Sequence, residues 1–195
     1  MCEVIGMRIL GVSGSPREGG NSDTAARKAL QMLEDLGETK FVRVADYNIK
    51  HCTGCRECMR VMRCVIDDDE FQLLFDEWLS SDLIIISDPV YWHSPPGVMK
   101  DFIDRSHAVY AHTDPPFRGK KVALISVATG GGFETHDRIF SAWLRHYGAE
   151  LIGKVRLYAQ EKGDLLRRPS QMSKLESFIS ELKGKITGCR KALEP

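Results

Sequence analysis

The sequence lacks several features that would assign it to a broad class of protein. No apolar run approaches the ~20 residues needed to span a bilayer. Positive and negative charges balance, with 27 Lys and Arg against 27 Asp and Glu, so binding driven by neutralisation of nucleic-acid phosphates is not expected. The first residues show no charged region, long apolar stretch or cleavage site typical of a signal peptide. We therefore expect a cytoplasmic protein that partners neither nucleic acid nor membrane.

Cysteine is scarce outside one short stretch. Of six cysteines, four lie within residues 52–64, with the spacing C-x2-C-x2-C-x5-C. In a reducing compartment, clustered cysteines bind metal or carry out redox chemistry more often than they form disulfides. Compact runs of this kind bind iron–sulfur clusters, and the long last gap with no following proline favours one self-contained cluster. The predicted ligands of a [4Fe–4S] cluster are Cys52, Cys55, Cys58 and Cys64.

Two alternatives for this stretch remain open. Zinc also accepts four cysteines, although the long spacer between two C-x2-C pairs that zinc sites usually have is absent. A metal-free stretch is the other alternative. If the stretch were helical, Arg56, Arg60 and Arg63 would share one face, which would be either a solvated basic surface or a docking surface for an acidic ferredoxin. Cys2 and Cys189 are expected to be unpaired and incidental.

Strand and helix patterns alternate five times along the chain. This alternation predicts parallel βαβ units and a doubly wound sheet, and the flavodoxin-like order 2-1-3-4-5 fits best. We expect one domain over residues 1–195, with the cysteine loop at residues 50–68 inserted after strand two and an aperiodic tail at residues 187–195. Predicted strands cover 8–12, 41–45, 83–87, 121–127 and 149–158, and predicted helices cover 23–36, 69–79, 97–110, 134–147 and 172–182.

Loops after strands one, three and four converge on the ligand crevice of such a sheet. The first loop, SGSPREGGNS, fits neither the G-x-x-x-x-G-K-[ST] nor the G-x-G-x-x-G pattern, so it is predicted to bind the phosphate of a mononucleotide. Backbone amides and rings of DPVYWHS suit the edge and plane of a heterocycle, and the glycines of ATGGGF allow close approach to a flat ring. A phosphate site beside a flat, amide-lined slot describes FMN.

Three motifs carry a resemblance to a known family. GSPREGGNS, the four-cysteine run with its trailing DDD, and PVYWHSPPGVMKDFIDR resemble the iron–sulfur flavoproteins, within the larger NADPH-dependent FMN reductase group. The resemblance implies one FMN and one [4Fe–4S] cluster per chain, assembly into homodimers or homotetramers, and a ferredoxin-like electron donor. Where the family usually has a small hydroxyl residue at the start of the strand-three motif, this chain has Asp88. Predicted FMN contacts are Ser13, Ser15, Pro16, Arg17, Asn21 and Ser22 for the phosphate, and Pro89, Val90, Tyr91, Trp92, Thr129, Gly130 and Gly131 for the ring.

Three functions follow from these patterns. The first is a redox protein that passes single electrons from a ferredoxin-like donor through the cluster to FMN and on to an acceptor. The second is an NAD(P)H-dependent FMN or quinone reductase without a functional cluster. The third is a non-catalytic zinc-binding interaction module. Strand two lies on the side of strand one away from the crevice, which leaves two alternatives for the cysteine loop: it faces the flavin of its own chain or that of a partner subunit.

Overall fold

A parallel five-stranded sheet forms the centre of the protein. A computed structural model describes residues 6–191, and the side chains up to residue 188. The expectations for the first residues, for Cys2, for the Cys189 side chain and for residues 192–195 lie outside this description. The strands are β1 (Met7–Ser13), β2 (Gly37–Arg43), β3 (Leu83–Pro89), β4 (Lys121–Ala128) and β5 (Glu150–Tyr158).

The strand order is β2-β1-β3-β4-β5, and all neighbouring pairs are parallel. This confirms the predicted flavodoxin-like fold and its topology. Residues Leu83–Ile86 are completely buried, as expected for a central strand that is covered on both faces. The ends of β1, β3 and β4 lie side by side, so the loops that follow them meet at one edge of the sheet.

Helices cover both faces of the sheet. One layer buries Ala25, Ala29 and Leu33 of the first long helix together with Leu175 and Ile179 of the last. The opposite layer is rich in aromatic residues. The helices are α1 (Asn21–Leu33), α2 (Cys58–Val61), α3 (Phe71–Ser80), α4 (Gly97–Arg105), α5 (Phe133–His146), α6 (Asp164–Arg167) and α7 (Pro169–Lys191).

The structure differs from the predicted elements in a few places. Helix α7 continues to Lys191, so the segment expected to be an aperiodic tail is helical as far as it is described. Strand β2 begins at Gly37, four residues before the predicted start. Its first half lies at the edge of the sheet and alternates in exposure, so it lacks the apolar run that would have marked it as a strand. Two single-turn helices, α2 and α6, have too few residues for a periodic signal. Within residues 6–191, no helix is long and apolar enough to cross a membrane.

Candidate functional site

The loop between β1 and α1 is organised around the carboxylate of Asp23. This carboxylate accepts a hydrogen bond from Ser13 Oγ at 2.5 Å and one from the backbone N–H of Gly19 at 2.7 Å. Its Oδ2 also forms an ion pair with Arg43 Nε at 3.1 Å, and both side chains are buried. The predicted phosphate ligand Ser13 is therefore occupied beneath the loop, and its role is to hold the loop in shape.

The start of α1 provides unpaired backbone donors to the space above this loop. The first N–H groups of a helix have no intrahelical acceptors, and no side chain in the described part of the chain caps this end of α1. Ser15 shapes the turn, because its Oγ accepts the Arg17 N–H at 3.1 Å. Asn21 ties the loop to the segment after β5, donating from Nδ2 to the Glu161 carbonyl at 2.9 Å. The result is a rigid loop with the anion-binding arrangement predicted from the sequence.

A cleft of about 90 Å³ lies where the three loops meet. Eight of the thirteen predicted FMN residues line it. Ser13 lies beneath it and Pro16, Trp92, Gly130 and Gly131 are outside its lining; the Trp92 side chain is 96% exposed. The structure therefore brings the phosphate-side and ring-side candidates to one crevice. Those that line it are Ser15, Arg17, Asn21, Ser22, Pro89, Val90, Tyr91 and Thr129.

The predicted hydrogen bonds from the β3–α4 loop to a heterocycle are only partly available. The Val90 N–H donates to the Val127 carbonyl at 2.8 Å, and the Tyr91 N–H donates to the Ser94 carbonyl at 2.8 Å. These two amides continue the strand and close a tight hairpin, so they are already paired in this structure. That the loop binds the edge of a ring stays a prediction. The hairpin tip, Trp92 and His93, has φ of 49° and 64°, which is the type I′ geometry that normally selects Asn-Gly.

The segment after β5 contributes crevice residues that the sequence patterns did not reveal. Ala159 and Gln160 line the cleft. The Lys162 amine lies against Gly19, since a Cβ on that glycine would be 3.1 Å from Nζ. Together with Arg17, it supplies positive charge at the phosphate loop. The segment after β5 is far along the chain from the phosphate loop, so no spacing pattern links the two. The one signal available in the sequence is that this segment follows a strand whose end lies at the same edge of the sheet.

All four cysteines of the loop line a second cavity, of about 330 Å³. The opposite wall comes from the end of α4 and the turn after it, including Asp104, His107 and Tyr110. The two cavities share no lining residue. Helix α4 begins just after the crevice loop and ends at the cysteine cavity. Its nine residues span about 14 Å at 1.5 Å per residue.

Arg105, the last residue of α4, closes the cysteine loop. Its side chain is fully buried. The guanidinium donates to the carbonyls of Lys50 at 2.9 Å and Ile66 at 3.0 Å, which lie before and after the cysteines. It also binds the Asp69 carboxylate at 2.5 Å and Cys64 Sγ at 3.2 Å. Burial opposes ionisation of Asp69, but hydrogen bonds from Arg105 and two backbone N–H groups outweigh it and lower the pKa of that carboxyl.

The residues around the second cavity fit a cluster in type, although they are not drawn together for ligation. Burial raises the pKa of the Cys58 thiol, and the three neighbouring cysteines raise it further, so four thiolates require a compensating cation here. Arg105 supplies a buried cation beside them, and its Nε donates a hydrogen bond to Cys64 Sγ at 3.2 Å. Among the described residues, however, no three Cys, His, Asp or Glu side chains form a group arranged to hold a metal ion.

The three arginines of the cysteine loop do not share a helical face. Helix α2 is one turn long and ends at Val61, because Met62 adopts φ of 61°. Arg56 precedes this turn and also has positive φ, and Arg63 follows it. Arg60 pairs with Glu57 at 2.8 Å. The expectation of a basic helical face is wrong, because the backbone has positive φ at Arg56 and Met62, on either side of this single turn.

Known proteins are similar in sequence to most of this chain. The sequence profile described as NADPH-dependent FMN reductase matches residues 7–163. An iron–sulfur flavoprotein of Methanocaldococcus jannaschii is 32% identical over 76% of this chain and 84% of its own length. The chain belongs to the NADPH-dependent FMN reductase family. Its similarity to iron–sulfur flavoproteins supports a flavin redox protein.

A second relative and a solved structure are also similar to this chain. An iron–sulfur flavoprotein of Archaeoglobus fulgidus is 36% identical over 70% of this chain, which spans 64% of that relative's length. Among solved structures, the Trp repressor binding protein of Bacillus subtilis superposes with a TM-score of 0.66 over 87% of this chain and 96% of its own. At 19% identity, this likeness concerns the fold alone.

Proposed function

We propose that this protein binds FMN in the crevice and a [4Fe–4S] cluster in the cysteine cavity, and that it passes single electrons from a ferredoxin-like donor to an acceptor. The observation that carries the proposal is the gathering of all four loop cysteines around one cavity in a chain whose sheet edge forms a flavodoxin-like crevice. A cluster carries one electron at a time, whereas a flavin carries one or two. One chain that holds both would join one-electron and two-electron chemistry.

The crevice residues have separate roles in this proposal. The backbone N–H groups at the start of α1, with Arg17 and Lys162, bind the FMN phosphate. Asp23 keeps the loop in shape through Ser13 and Gly19. Pro89, Val90 and Tyr91 form one side of the ring slot, and Thr129 forms the other. Gly130 and Gly131, which follow Thr129, lie outside the lining and carry no side chain that would narrow the slot.

The cysteine cavity holds the cluster through Cys52, Cys55, Cys58 and Cys64. Cys52 and Cys55 are exposed thiols, so their side chains are free to turn towards iron when the cluster is inserted. Cys64 is oriented by the Arg105 hydrogen bond. A charged donor to a ligating sulfur stabilises the reduced, more negative cluster and raises its reduction potential.

The proposed electron path runs between subunits. Helix α4 separates the two cavities within one chain. A homodimer or homotetramer that sets the cysteine cavity of one chain against the crevice of the next would shorten this path. The test is a structure of the iron-loaded protein, in which a cluster-to-flavin distance that is shorter within a chain than between chains would contradict an inter-subunit path.

The main test is anaerobic purification followed by analysis of FMN, iron, zinc and acid-labile sulfide. We expect one FMN and about four iron atoms per chain, together with an EPR signal after reduction. A Cys52→Ser/Cys55→Ser double variant should lose iron and keep FMN. The matched control is Cys2→Ser/Cys189→Ser, which removes two thiols outside the run. Iron-free protein from anaerobic preparations would contradict the cluster.

An NAD(P)H-dependent FMN or quinone reductase without a cluster is the second candidate. Its support is the match of residues 7–163 to the profile described as NADPH-dependent FMN reductase. It predicts rapid bleaching of FMN by NADPH and unchanged activity in the Cys52→Ser/Cys55→Ser variant. Zinc in a colourless preparation would instead favour the zinc-binding module.

A further inference from the structure

A chain of buried polar side chains lies behind the crevice and has no part in the proposed binding of FMN. Asp88 in β3 and His136 in α5 are both completely buried, and Asp88 Oδ2 lies 2.8 Å from His136 Nε2. A buried carboxylate is costly unless it is paired, and here His136 supplies the partner.

The hydrogen bonds beyond His136 determine how many protons the pair holds. Ser126 Oγ donates to Asp137 Oδ1 at 2.7 Å, and Arg156 Nε, at 2.9 Å from Oδ2, helps to keep Asp137 ionised. The Ser126 hydroxyl hydrogen is thereby used, so its oxygen accepts from His136 Nδ1 at 3.1 Å. One further proton must then occupy the bond between His136 Nε2 and Asp88 Oδ2. The pair therefore holds this proton at zero net charge, as an imidazolium with a carboxylate or as an imidazole with a carboxylic acid.

The second oxygen of Asp88 points at the phosphate loop. Asp88 Oδ1 is buried and has no hydrogen-bond partner among the described residues. It lies against Gly14, where a Cβ would come within 1.7 Å of it. Gly14 adjoins Ser15, and Asp88 adjoins Pro89; both of these neighbours line the crevice. Asp88 Oδ1 therefore lies directly behind the crevice, next to two backbone segments that form its wall.

The charged groups near this pair belong to α5 and β5, and none of them lines the crevice. Helix α4 presents Met99 and the β1 loop presents Gly14, neither of which titrates. Helix α5 presents Asp137 beside His136, and β5 presents Arg156, with Lys154 at 4.0 Å from Asp137. Glu134 neutralises the outer side of Arg156 at 2.8 Å. Any charge that appears in the crevice therefore acts on the Asp88–His136 pair with little intervening screening.

We propose that Asp88 and His136 form a buried proton-binding pair whose protonation is coupled to the redox state of FMN in the crevice. The inference rests on the FMN site of the proposed function. Reduction of FMN by two electrons, delivered singly by the donor, with uptake of one proton would add one negative charge to the crevice. The Asp88–His136 pair would then take one proton from solvent and become a carboxylic acid beside an imidazolium. The positive charge of the protonated pair would compensate the negative charge on the flavin. Asp88 and His136 are positioning residues that act through the electrostatic field.

The acid–base properties of the two groups suit this role. Burial raises the pKa of Asp88 to about 6, with His136 opposing the rise. Burial lowers the pKa of His136, but the carboxylates of Asp137 and Asp88 outweigh it and raise that pKa overall. The Asp88 pKa of about 6 places the uptake of a second proton by the pair near neutral pH, where a change of charge in the crevice can move it.

The test is a redox titration of bound FMN from about pH 5 to 8. By linkage, reduction raises the proton affinity of the pair and protonation raises the FMN potential. The relevant pH range lies between the apparent pKa of the pair beside oxidised FMN and its higher value beside reduced FMN. In that range the wild-type FMN potential should fall more steeply with pH, by about 30 mV per pH unit, because one additional proton is taken up for two electrons. Asp88→Asn should remove this segment while keeping FMN. The matched control Asp114→Asn, which removes an exposed carboxylate paired with Arg118, should keep it.

Parallel wild-type and Asp88→Asn profiles with FMN bound would overturn the inference and leave the proposed function intact. Wild type that retains no FMN would overturn both. A second measurement does not depend on the variant's folding: the imidazole resonance of His136, assigned with His136→Gln, is titrated in the oxidised and reduced wild type. We expect a higher apparent pKa in the reduced protein, and equal values in the two states would contradict the coupling.

Discussion

Arg105 Nε donates a hydrogen bond to Cys64 Sγ at 3.2 Å across 41 residues of chain. The same guanidinium holds backbone on both sides of the cysteine run and the Asp69 carboxylate. A planar group with several fixed donors suits this set of acceptors. One α4 side chain therefore fixes both ends of the cysteine loop.

Replacing Arg105 by Lys should loosen this loop. A lysine amine cannot reach acceptors on three sides at once, so Asp69 would keep a buried charge with a weakened partner. We expect the free energy of unfolding to fall by about 3 kcal/mol, with faster proteolysis within residues 50–68. Denaturant unfolding and limited proteolysis measure these two effects.

The control for this change is Arg118→Lys, which alters an exposed ion pair with Asp114 and should change the unfolding free energy by less than about 1 kcal/mol. In anaerobically prepared protein, Arg105→Lys should also lower the iron content per chain. Wild-type stability in Arg105→Lys would show that the contacts of Arg105 are replaceable.

Asp23→Asn should disturb the phosphate loop. The amide would turn an N–H group towards either Ser13 Oγ or the donors on Gly19 and Arg43, because Asp23 now serves only as an acceptor. Arg43 would also lose its buried counter-ion. We expect a loss of about 3 kcal/mol in the free energy of unfolding and weaker FMN binding, measured by denaturant unfolding and by fluorescence titration with FMN.

Asp46→Asn is the matched control, since Asp46 is the exposed second partner of Arg43 at 2.6 Å. Its removal should cost less than about 1 kcal/mol and leave FMN binding unchanged. Equal losses of unfolding free energy and FMN binding in the two variants would contradict this. They would mean that pairing of the Arg43 charge, rather than the hydrogen bonds that Asp23 accepts in the loop, is responsible for both effects.

The sequence predicted the parts of this structure that depend on local patterns. Continuous apolar runs such as Leu83–Ile86 identified the strands, and alternation of strand and helix predicted a parallel sheet. The phosphate loop after the first strand favoured the observed strand order. The cysteines are close along the chain, so their shared cavity was also predictable. The contacts of Arg105 with Cys64 and Asp69 could not be predicted, and neither could the hydrogen bond between Asp88 and His136. Each of these contacts joins residues 36 or more positions apart. Such contacts follow from the packing of whole elements and leave no spacing pattern.

Trp92 and His93 should be replaceable by Asn and Gly with a gain in stability. Both residues adopt positive φ at the tip of the hairpin closed by Tyr91 and Ser94, a conformation that is costly for bulky side chains. Asn-Gly is the preferred pair for this turn. We expect the double variant to gain about 1–2 kcal/mol in thermal or denaturant unfolding. A loss of stability would mean that the exposed Trp92 or the His93 ring makes compensating contacts.

The close approach of Gly14 to Asp88 should make Gly14→Ala destabilising even though Gly14 does not have positive φ. The new methyl group would fall 1.7 Å from Asp88 Oδ1 and 3.1 Å from Met99 Cβ, so the buried carboxylate must move and strain its bond to His136. We expect a loss of about 1–3 kcal/mol in the free energy of unfolding, the usual cost of overpacking, measured by denaturant unfolding.

Gly97→Ala is the control for Gly14→Ala, because no heavy atom lies within 4 Å of its added Cβ. At the start of α4 it should be neutral or stabilise the protein by up to about 1 kcal/mol. A Gly14→Ala/Asp88→Ser double variant removes the obstructing carboxylate and should recover part of the loss. If the double variant were no more stable than Gly14→Ala, the contact with Asp88 would not be the source of the strain.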